Sequence, residues 1–249
     1  MIEVSNLVKR YGDFTALHSI SFQVPKGQIL GLLGPNGAGK STTMKILSAF
    51  MPATSGEVKV AGFDVFDDPL EVKRRVGYLP ENPPLYLEMG VREYIEYVAD
   101  LKKLDPSRKK DRTQFVMQHC GLENVGRRMI GTLSKGYRQR IGIAQALVHD
   151  PEVVILDEPT VGLDPVQIVE IRNLIKGLAQ SHTVILSTHI LPEVTMTCDR
   201  VVMINRGSIL ADGTVASLTK GSGESLEQAY IRLITQDVET TVPTPQVSV

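Results

Sequence analysis

The stretch that decides the fold reads Gly34-Pro35-Asn36-Gly37-Ala38-Gly39-Lys40-Ser41-Thr42. It matches the phosphate-binding loop pattern G-x-x-x-x-G-K-[ST] at every fixed position. The glycines let the backbone pass close to a phosphate chain, and free backbone N–H groups supply positive potential. Lys40 adds a full charge at the β- and γ-phosphates, and the Ser41 hydroxyl is placed to bind Mg²⁺. We therefore predict that residues 34–42 hold a phosphate chain.

The residues on either side of this loop support that interpretation. Residues 28–33 form a short apolar run, typical of a buried parallel strand, and residues 42–47 have apolar positions at helical spacing. Strand, glycine loop and helix are the structural context that the pattern requires. The alternative is a glycine-rich turn that binds nothing, which the joint presence of loop, lysine and hydroxyl disfavours.

Composition limits the class of protein. At 249 residues the chain fits one large α/β domain, and its net charge of −1 gives no reason to expect nucleic acid or an anionic membrane as a partner. Cys120 and Cys198 lie far apart without metal-ligand spacing, which favours packing roles in a reducing compartment. Neither a signal peptide nor an apolar run of transmembrane length is visible. We expect no direct membrane span, so a membrane role would need another chain.

Two acidic residues end an apolar segment that is typical of a buried strand, Val153-Val154-Ile155-Leu156-Asp157-Glu158. Buried charges are costly unless they are paired or bind metal, and α/β proteins bind ligands at the carboxyl ends of parallel strands. Asp157 is therefore a candidate Mg²⁺ ligand, and Glu158 is a candidate general base for an attacking water. The alternative is an exposed acidic strand end without function.

Two further side chains are candidates because of where they stand. His189 ends another apolar run, residues 183–189, and is predicted to sense a γ-phosphate by hydrogen bonding at the same sheet edge. Tyr11 is predicted to lie in a turn, residues 9–12, where its ring offers a face for purine stacking. Ordinary packing remains the alternative for both residues.

A change of character over about 85–140 predicts a helical subdomain inserted into the α/β core. Pro83 and Pro84 mark its start, and Ser134 is a natural N-cap for the helix that follows. Arg138 and Arg140 are unfavourable so early in a helix unless an anion arrives. A basic patch within residues 102–112 is either a solvated helix junction, which we favour, or a contact for lipid headgroups.

The ends of the chain have simpler patterns. Residues 2–4 and 16–24 alternate as antiparallel strands, residues 200–213 read as a hairpin, and residues 225–234 form an amphipathic helix. From about 236 the chain is rich in Thr, Val and Pro without periodicity, which predicts a disordered tail over 236–249 after a domain of residues 1–235.

The motifs in this order resemble the ATP-binding subunit of ABC transporters over residues 1 to about 235. Leu133-Ser134-Lys135-Gly136-Tyr137 is similar to that family's signature motif, usually Leu-Ser-Gly-Gly-Gln. Gly162-Leu163-Asp164 resembles its D-loop, and His189 resembles its switch histidine. The stretch Tyr78-Leu79-Pro80-Glu81-Asn82-Pro83-Pro84-Leu85-Tyr86 resembles the type 2 exporter branch, of the gliding-motility type and the multidrug or sodium efflux type.

Three positions depart from the family's pattern. Glu81 stands where the family usually has a glutamine that approaches Mg²⁺ and its water, so it adds negative charge near the nucleotide. Lys135 and Tyr137 replace the usual glycine and glutamine of the signature. Ser134 and Gly136, which supply the hydroxyl and the unhindered backbone, are kept.

The resemblance implies a P-loop NTPase core with a mixed sheet, an N-terminal antiparallel β subdomain and the inserted helical subdomain. It implies ATP hydrolysis with Mg²⁺ in a head-to-tail dimer with a second copy or a paralogue. Each ATP would contact Lys40, Ser41, Asp157 and Glu81 of one subunit and Ser134 and Gly136 of the other, with Asp164 also binding nucleotide. The dimer would drive transmembrane permease subunits, in the export direction, from the cytoplasmic face of the membrane.

Two rival functions share this motif set. A soluble ATPase of the same class, acting on nucleic acid or ribosomes, would carry long coiled coils or two fused domains, which this sequence does not show. A regulator that binds ATP only to clamp a membrane partner would need neither Glu158 nor His189.

Overall fold

The structure, a computed structural model, describes residues 1–219 and 224–241, with side chains as far as residue 235. In chain order the strands are β1 (Ile2–Tyr11), β2 (Phe14–Val24), β3 (Ile29–Leu33), β4 (Ser55–Val60), β5 (Phe63–Asp64), β6 (Val76–Leu79), β7 (Val153–Asp157), β8 (Thr183–Thr188), β9 (Arg200–Asn205) and β10 (Ser208–Gly213). The helices are α1 (Lys40–Leu47), α2 (Pro69–Arg75), α3 (Val91–Leu101), α4 (Pro106–His119), α5 (Lys135–Leu147), α6 (Pro165–Leu178), α7 (Leu191–Thr197), α8 (Val215–Leu218) and α9 (Leu226–Thr241).

A mixed sheet of order β10-β9-β3-β8-β7-β6 forms the centre of the described molecule. Its pairings are parallel except for that of β9 with β10. Every residue of β3, β7 and β8 is buried, as expected for parallel strands covered on both faces. Along β7, Val153 and Ile155 pack into one hydrophobic cluster and Val154 and Leu156 into the other, because successive side chains point to opposite faces.

A second, antiparallel sheet has the order β2-β1-β4-β5 and covers one of these faces together with α1. This confirms the predicted β subdomain but corrects its turn. Tyr11 pairs with Phe14, so β1 continues through the residues that were predicted to form a turn. The reversal is confined to Gly12 and Asp13. Pairing with β2 favours the extended backbone here more than the local glycine signal favours a wider turn.

The helices α3 and α4 lie between β6 and β7 in the chain and form the predicted insertion. They share one hydrophobic cluster with α5 and with the second face of the central sheet. The helix α5 approaches β6 closely, because a Cβ atom on Gly77 would lie 2.0 Å from the Ala146 carbonyl oxygen. The absence of a side chain at Gly77 therefore sets the distance between the insertion and the core.

The C-terminal helix is longer than the sequence predicted. It continues to Thr241, which corrects the expectation of disorder from about 236, and residues 242–249 lie outside the described residues. Extending an existing helix costs much less free energy than nucleating one, so the Gln and Glu residues beyond 235 suffice to prolong it. Over 1–219 and 224–241, no helix combines the length and apolarity that crossing a bilayer requires.

Candidate nucleotide site

Three neighbouring parallel strands lead to the phosphate loop, to Asp157 and Glu158, and to His189 at one edge of the central sheet. The strand β8 lies between β3 and β7, so the segments after Leu33, Asp157 and Thr188 emerge side by side. This edge is the place where α/β proteins bind ligands. A cavity of about 540 Å³ opens there, lined by Tyr11, Phe14, Ala16, Asn36, Gly37, Gly39, Lys40, Ser41, Thr42, Glu81, Glu158, Val161 and His189.

The phosphate loop turns at Gly39, whose φ of +104° is in the left-handed region that favours glycine. A Cβ atom there would lie 2.6 Å from Leu17 Cδ2. The loop leads directly into α1, where the first backbone N–H groups of the helix provide an anion site. Of the predicted loop residues, Gly34, Pro35 and Ala38 do not line the cavity. Ala38 packs instead in the core.

Lys40 is buried and held by the loop that it follows. Its Nζ donates hydrogen bonds to the carbonyl oxygens of Gly34 and Pro35, at 2.8 and 3.2 Å. The same atom lies 3.1 Å from Glu158 Oε1. That carboxylate oxygen accepts no hydrogen bond of good geometry among the described residues, although it is buried. The ion pair therefore leaves one acceptor of Glu158 available for a further partner.

Two serine hydroxyl groups donate hydrogen bonds to the Asp157 carboxylate. Its Oδ1 accepts hydrogen bonds from Ser41 Oγ at 3.1 Å and from Ser187 Oγ at 2.6 Å. Ser187 Oγ in turn accepts one from the backbone N–H of Glu158 at 2.9 Å. Hydroxyl and carboxylate oxygens suit Mg²⁺, which is usually bound by one or two carboxylates together with substrate phosphates. The oxygen atoms of Asp157 and Ser41 therefore fit the ion.

The Asp157 carboxylate also affects the pKa of Tyr78, which lies on β6. Burial and, as a smaller cause, the nearby Asp157 carboxylate raise the pKa of Tyr78 above its usual value of 10.0. The phenol is consequently neutral at physiological pH. Because it carries no charge, Tyr78 does not repel the neighbouring Asp157 carboxylate.

Glu158 and His189 contact each other at the mouth of the cavity. His189 Nδ1 donates to Glu158 Oε2 at 2.9 Å, because an ionised carboxylate can only accept. The Glu158 side chain is 7% exposed and that of His189 is 42% exposed. Glu158 has a φ of +49°, an uncommon conformation for a residue with a side chain and one often found at functional sites.

Tyr11 and Glu81 both line the cavity. The Tyr11 ring is partly exposed, lies 5.1 Å from Lys9 Nζ, and its hydroxyl donates to Met51 Sδ at 3.2 Å. Phe14, which is 65% exposed, lines the same cavity beyond the short β1–β2 reversal. Sequence reasoning missed Phe14, although an aromatic residue beside Tyr11 across a tight turn was a usable signal.

Ser134 and Gly136 lie in a separate cavity of about 260 Å³, which shares no lining residue with the first. Ser134 caps α5, its side chain accepting from the Tyr137 N–H at 3.5 Å. Asp164 caps α6 by accepting from the Gln167 N–H at 2.9 Å, and it lies outside the phosphate-loop cavity. One copy of the chain therefore does not bring these three predicted residues together with Lys40.

The structure corrects the expectation that Arg140 needs an anion from outside the chain. Arg140 already has an anionic partner in its own chain, because its guanidinium lies 2.5 Å from Glu170 and also donates to the Cys120 carbonyl oxygen. The basic patch is likewise partly paired: Lys109 with Asp100, and Arg108 and Arg112 with Asp150. These contacts favour the junction interpretation over contact with lipid headgroups.

The chain is similar to proteins of a known family. The chain matches the ABC transporter family over residues 17–161, which is more than half of its 249 residues. It is 37% identical over 224 residues to the linearmycin resistance ATP-binding protein LnrL of Bacillus subtilis (strain 168), covering 90% of this chain and 72% of that protein.

Solved structures agree with the sequence relatives. The structure of an ATP-binding subunit of an ABC transporter superimposes with a TM-score of 0.85 at 30% identity, over 94% of this chain and 99% of that one. A dimeric structure of MJ0796, a bacterial ABC transporter cassette, gives a TM-score of 0.79 at 25% identity, over 87% and 99%. The chain therefore belongs to the ABC transporter family, as an ATP-binding and ATP-hydrolysing subunit.

Proposed function

We propose that two copies of this chain, or one copy and a paralogue, close head-to-tail around two Mg-ATP and drive a separate transmembrane permease. The observation that carries the proposal is the division between two cavities. Lys40, Glu158 and His189 line one, whereas Ser134 and Gly136 line another. A second copy that presents its Ser134 surface to the first cavity would complete the site.

Within one copy, the loop residues 34–42 hold the phosphate chain and Tyr11 stacks on the purine. Lys40 Nζ, which now bonds the Gly34 and Pro35 carbonyls and faces Glu158, would turn its positive charge to the β- and γ-phosphates. That exchange would leave Glu158 Oε1 free to accept a proton from the attacking water. ATP binding would thereby release the Glu158 carboxylate from its ion pair with Lys40, so that it can act as the base.

Glu158 acts in this proposal as the general base, and His189 orients it. The hydrogen bond from His189 Nδ1 fixes one carboxylate oxygen, so the other is directed toward the water. His189, exposed at the cavity mouth, is also placed to donate to the γ-phosphate from its second ring nitrogen. Loss of the γ-phosphate after hydrolysis would then break contacts on both subunits and loosen the dimer.

The metal ligands in this proposal are Ser41, Asp157 and, through the loop after β6, Glu81. When bound, Mg²⁺ would neutralise charge on the β- and γ-phosphates. Ser187 holds the Asp157 carboxylate and the Glu158 backbone in fixed relation, which keeps the ligand and the base at adjacent positions.

The opposite subunit contributes the start of α5. The Ser134 hydroxyl and the N–H groups beside Gly136 form an anion site for the γ-phosphate, and Asp164 lies at the start of α6 on the same side. Because Arg140 is paired with Glu170, the helix N-terminus and Lys135 carry the positive potential there. Lys135 Nζ lies over Gly162, within 2.2 Å of the position that a Cβ atom would occupy.

The permease supplies the membrane span, and this subunit works on the cytoplasmic face. The name of the relative LnrL, a resistance protein, supports the export direction. A groove of about 560 Å³ between α2 and α3 is the proposed docking surface. It is lined by Leu70, Lys73, Arg74, Pro84, Tyr86, Tyr94, Tyr97, Val98, Leu101, Lys102, Lys103 and Gln145. Its basic border over an aromatic floor suits an acidic segment with apolar anchors.

The substitution Glu158→Gln tests the catalytic assignment. It removes the base but keeps the size and the hydrogen bond to His189, so Mg-ATP binding should persist while phosphate release falls at least about a hundredfold. Light scattering with saturating Mg-ATP should then report a stable dimer.

Lys40→Ala is the control, because it should lose binding as well as turnover. Saturating Mg-ATP should raise the free energy of unfolding of the parent by about 2.7 kcal/mol at one hundred times Kd, and should not stabilise Lys40→Ala. Parental turnover in Glu158→Gln would show that Glu158 is not the base.

A further inference from the structure

Glu193 is a buried carboxylate that joins the two strand ends of the site. It lies on α7 and is 5% exposed. Its Oε1 accepts a hydrogen bond from Thr160 Oγ1, and its Oε2 accepts one from Thr188 Oγ1 at 2.7 Å. Both threonines are buried as well. The carboxylate therefore forms a bridge between the loop after β7 and the end of β8.

The two threonines stand next to the proposed reacting residues. Thr160 follows Glu158 by two positions, in a turn closed by the Val161 N–H bonding the Glu158 carbonyl at 3.2 Å. Thr188 precedes His189 directly, and its Oγ1 also accepts from the Ile190 N–H at 3.0 Å. The bridge thus holds the backbone on one side of Glu158 and on both sides of His189.

A buried carboxylate needs compensation, because removing it from water is costly. Among the described residues Glu193 forms no ion pair within 4 Å. Arg172 lines the same small cavity, of about 10 Å³, without bonding to it. The two hydroxyl hydrogen bonds are charge-assisted and provide the compensation. The Glu193 side chain therefore links the hydroxyl groups of Thr160 and Thr188.

We propose that Glu193 is a positioning residue for hydrolysis. By fixing Thr160 and Thr188 relative to each other, it keeps His189 Nδ1 at 2.9 Å from Glu158 Oε2. The inference rests on the proposed roles of Glu158 and His189. A displacement of about 1 Å between a base and its orienting partner costs up to about a hundredfold in rate, so the bridge acts on turnover more than on binding.

The test is steady-state phosphate release by the full chain with Glu193→Ala, Glu193→Asp and Glu193→Gln. Glu193→Ala breaks both links and should lower kcat by about 10- to 100-fold, with KM for ATP within about threefold of the parent. The Glu193→Asp side chain is one methylene too short to reach both hydroxyls, so this variant should show the same fall in kcat as Glu193→Ala. Glu193→Gln can accept from one threonine and donate to the other, so it should retain kcat within about threefold.

The rescue by glutamine separates positioning from charge and from simple stability. If Glu193→Ala does not fold, Thr188→Val and Thr160→Val each remove one hydroxyl at nearly constant volume, and each should lower kcat by about tenfold or more without raising KM. A parental kcat in folded Glu193→Ala, or in both valine variants, would overturn the proposal. Equal losses in Glu193→Gln and Glu193→Ala would overturn it too.

Glu158→Gln, assayed in parallel, distinguishes failure of this inference from failure of the proposed function. If Glu158→Gln hydrolyses ATP at the parental rate, the base is misassigned and the role of Glu193 falls with it. If Glu158→Gln is inactive while Glu193→Ala is not impaired, only the bridge is wrong.

Discussion

His149 is a partly buried histidine with a hydrogen bond at only one of its two ring nitrogens. Nε2 donates to the Val76 carbonyl oxygen at 3.1 Å, and Nδ1 is buried without a partner in the described part of the chain. Burial is the main cause that lowers the pKa of His149 from 6.5 to about 3, and the positive charge of Lys102 is the next. The imidazole is therefore neutral in the folded protein.

We predict acid destabilisation through this residue. Between pH 6.5 and about 3 the unfolded chain binds a proton at His149 that the folded chain does not, so this contribution to stability is complete above pH 6.5 and is lost as the pH falls. The loss should reach about 2 kcal/mol by pH 5. Urea unfolding at pH 7.5 and pH 5 measures it.

The matched variant is His149→Gln, which can still donate to the Val76 carbonyl oxygen but does not titrate. Its free energy of unfolding should fall by about 2 kcal/mol less than that of the parent between the two pH values. An equal fall in both proteins would assign the acid sensitivity to other groups.

At the residue scale, sequence patterns found the side chains that belong to compact local motifs. Lys40 and Ser41 stand in a loop-and-helix motif that follows β3, and Asp157 and Glu158 stand at the end of β7, so a local pattern was enough to single them out. Ser187 gave no such signal, because it is a single hydroxyl within an apolar strand. Its importance comes from contacts with residues that are distant in the chain.

At the scale of elements, the contact of α5 with β6 is tight enough to test. The Cβ atom of an alanine at position 77 would meet the Ala146 carbonyl oxygen at 2.0 Å, and backbone cannot move aside as a flexible side chain can. We predict that Gly77→Ala lowers the free energy of unfolding by about 1–3 kcal/mol. Denaturant unfolding at neutral pH measures the change.

Gly177→Ala is the control for Gly77→Ala. Gly177 lies inside α6, and a Cβ atom there would meet nothing closer than His119 Nε2 at 3.9 Å. Alanine has a higher helix propensity than glycine, so the free energy of unfolding of Gly177→Ala should be about 0.5–1 kcal/mol higher than that of the parent. A Gly77→Ala protein as stable as the parent would mean that α5 can move away from β6 without cost.

Elements were predicted well where one physical effect dominates. The apolar runs of β3, β7 and β8 are buried on both faces and are recognisable without their neighbours. The end of β1 and the end of α9 were misplaced, because strand pairing and helix propagation extend an element beyond its local sequence signal. Both errors concern boundaries, and neither changes the fold.

At the scale of the whole molecule, the basic groove is the surface through which the subunit would contact its permease. Lys73 is exposed on the groove border and lines it beside the aromatic floor. We predict that Lys73→Glu lowers recovery of the permease, co-purified from detergent-solubilised membranes, by at least about tenfold, because it places like charges across the contact. Phosphate release by the isolated chain should not change.

The control is Lys59→Glu, an equal charge change on β4, outside the groove lining. It should leave permease recovery at the parental level. If both variants recover the permease equally well, the docking surface lies elsewhere.

The order β3-β8-β7 also bears on how the protein is made. The chain is synthesised from its N-terminus, and β8, the strand between the Lys40 and Glu158 segments, begins 150 residues after β3 ends (183 minus 33). At about 5–20 residues per second, the ribosome needs about 8–30 seconds to add them. During that interval β3 exposes an apolar edge, and β7 exposes a second one once residues 153–157 have been added, so the newborn chain is most prone to aggregate shortly before β8 is made.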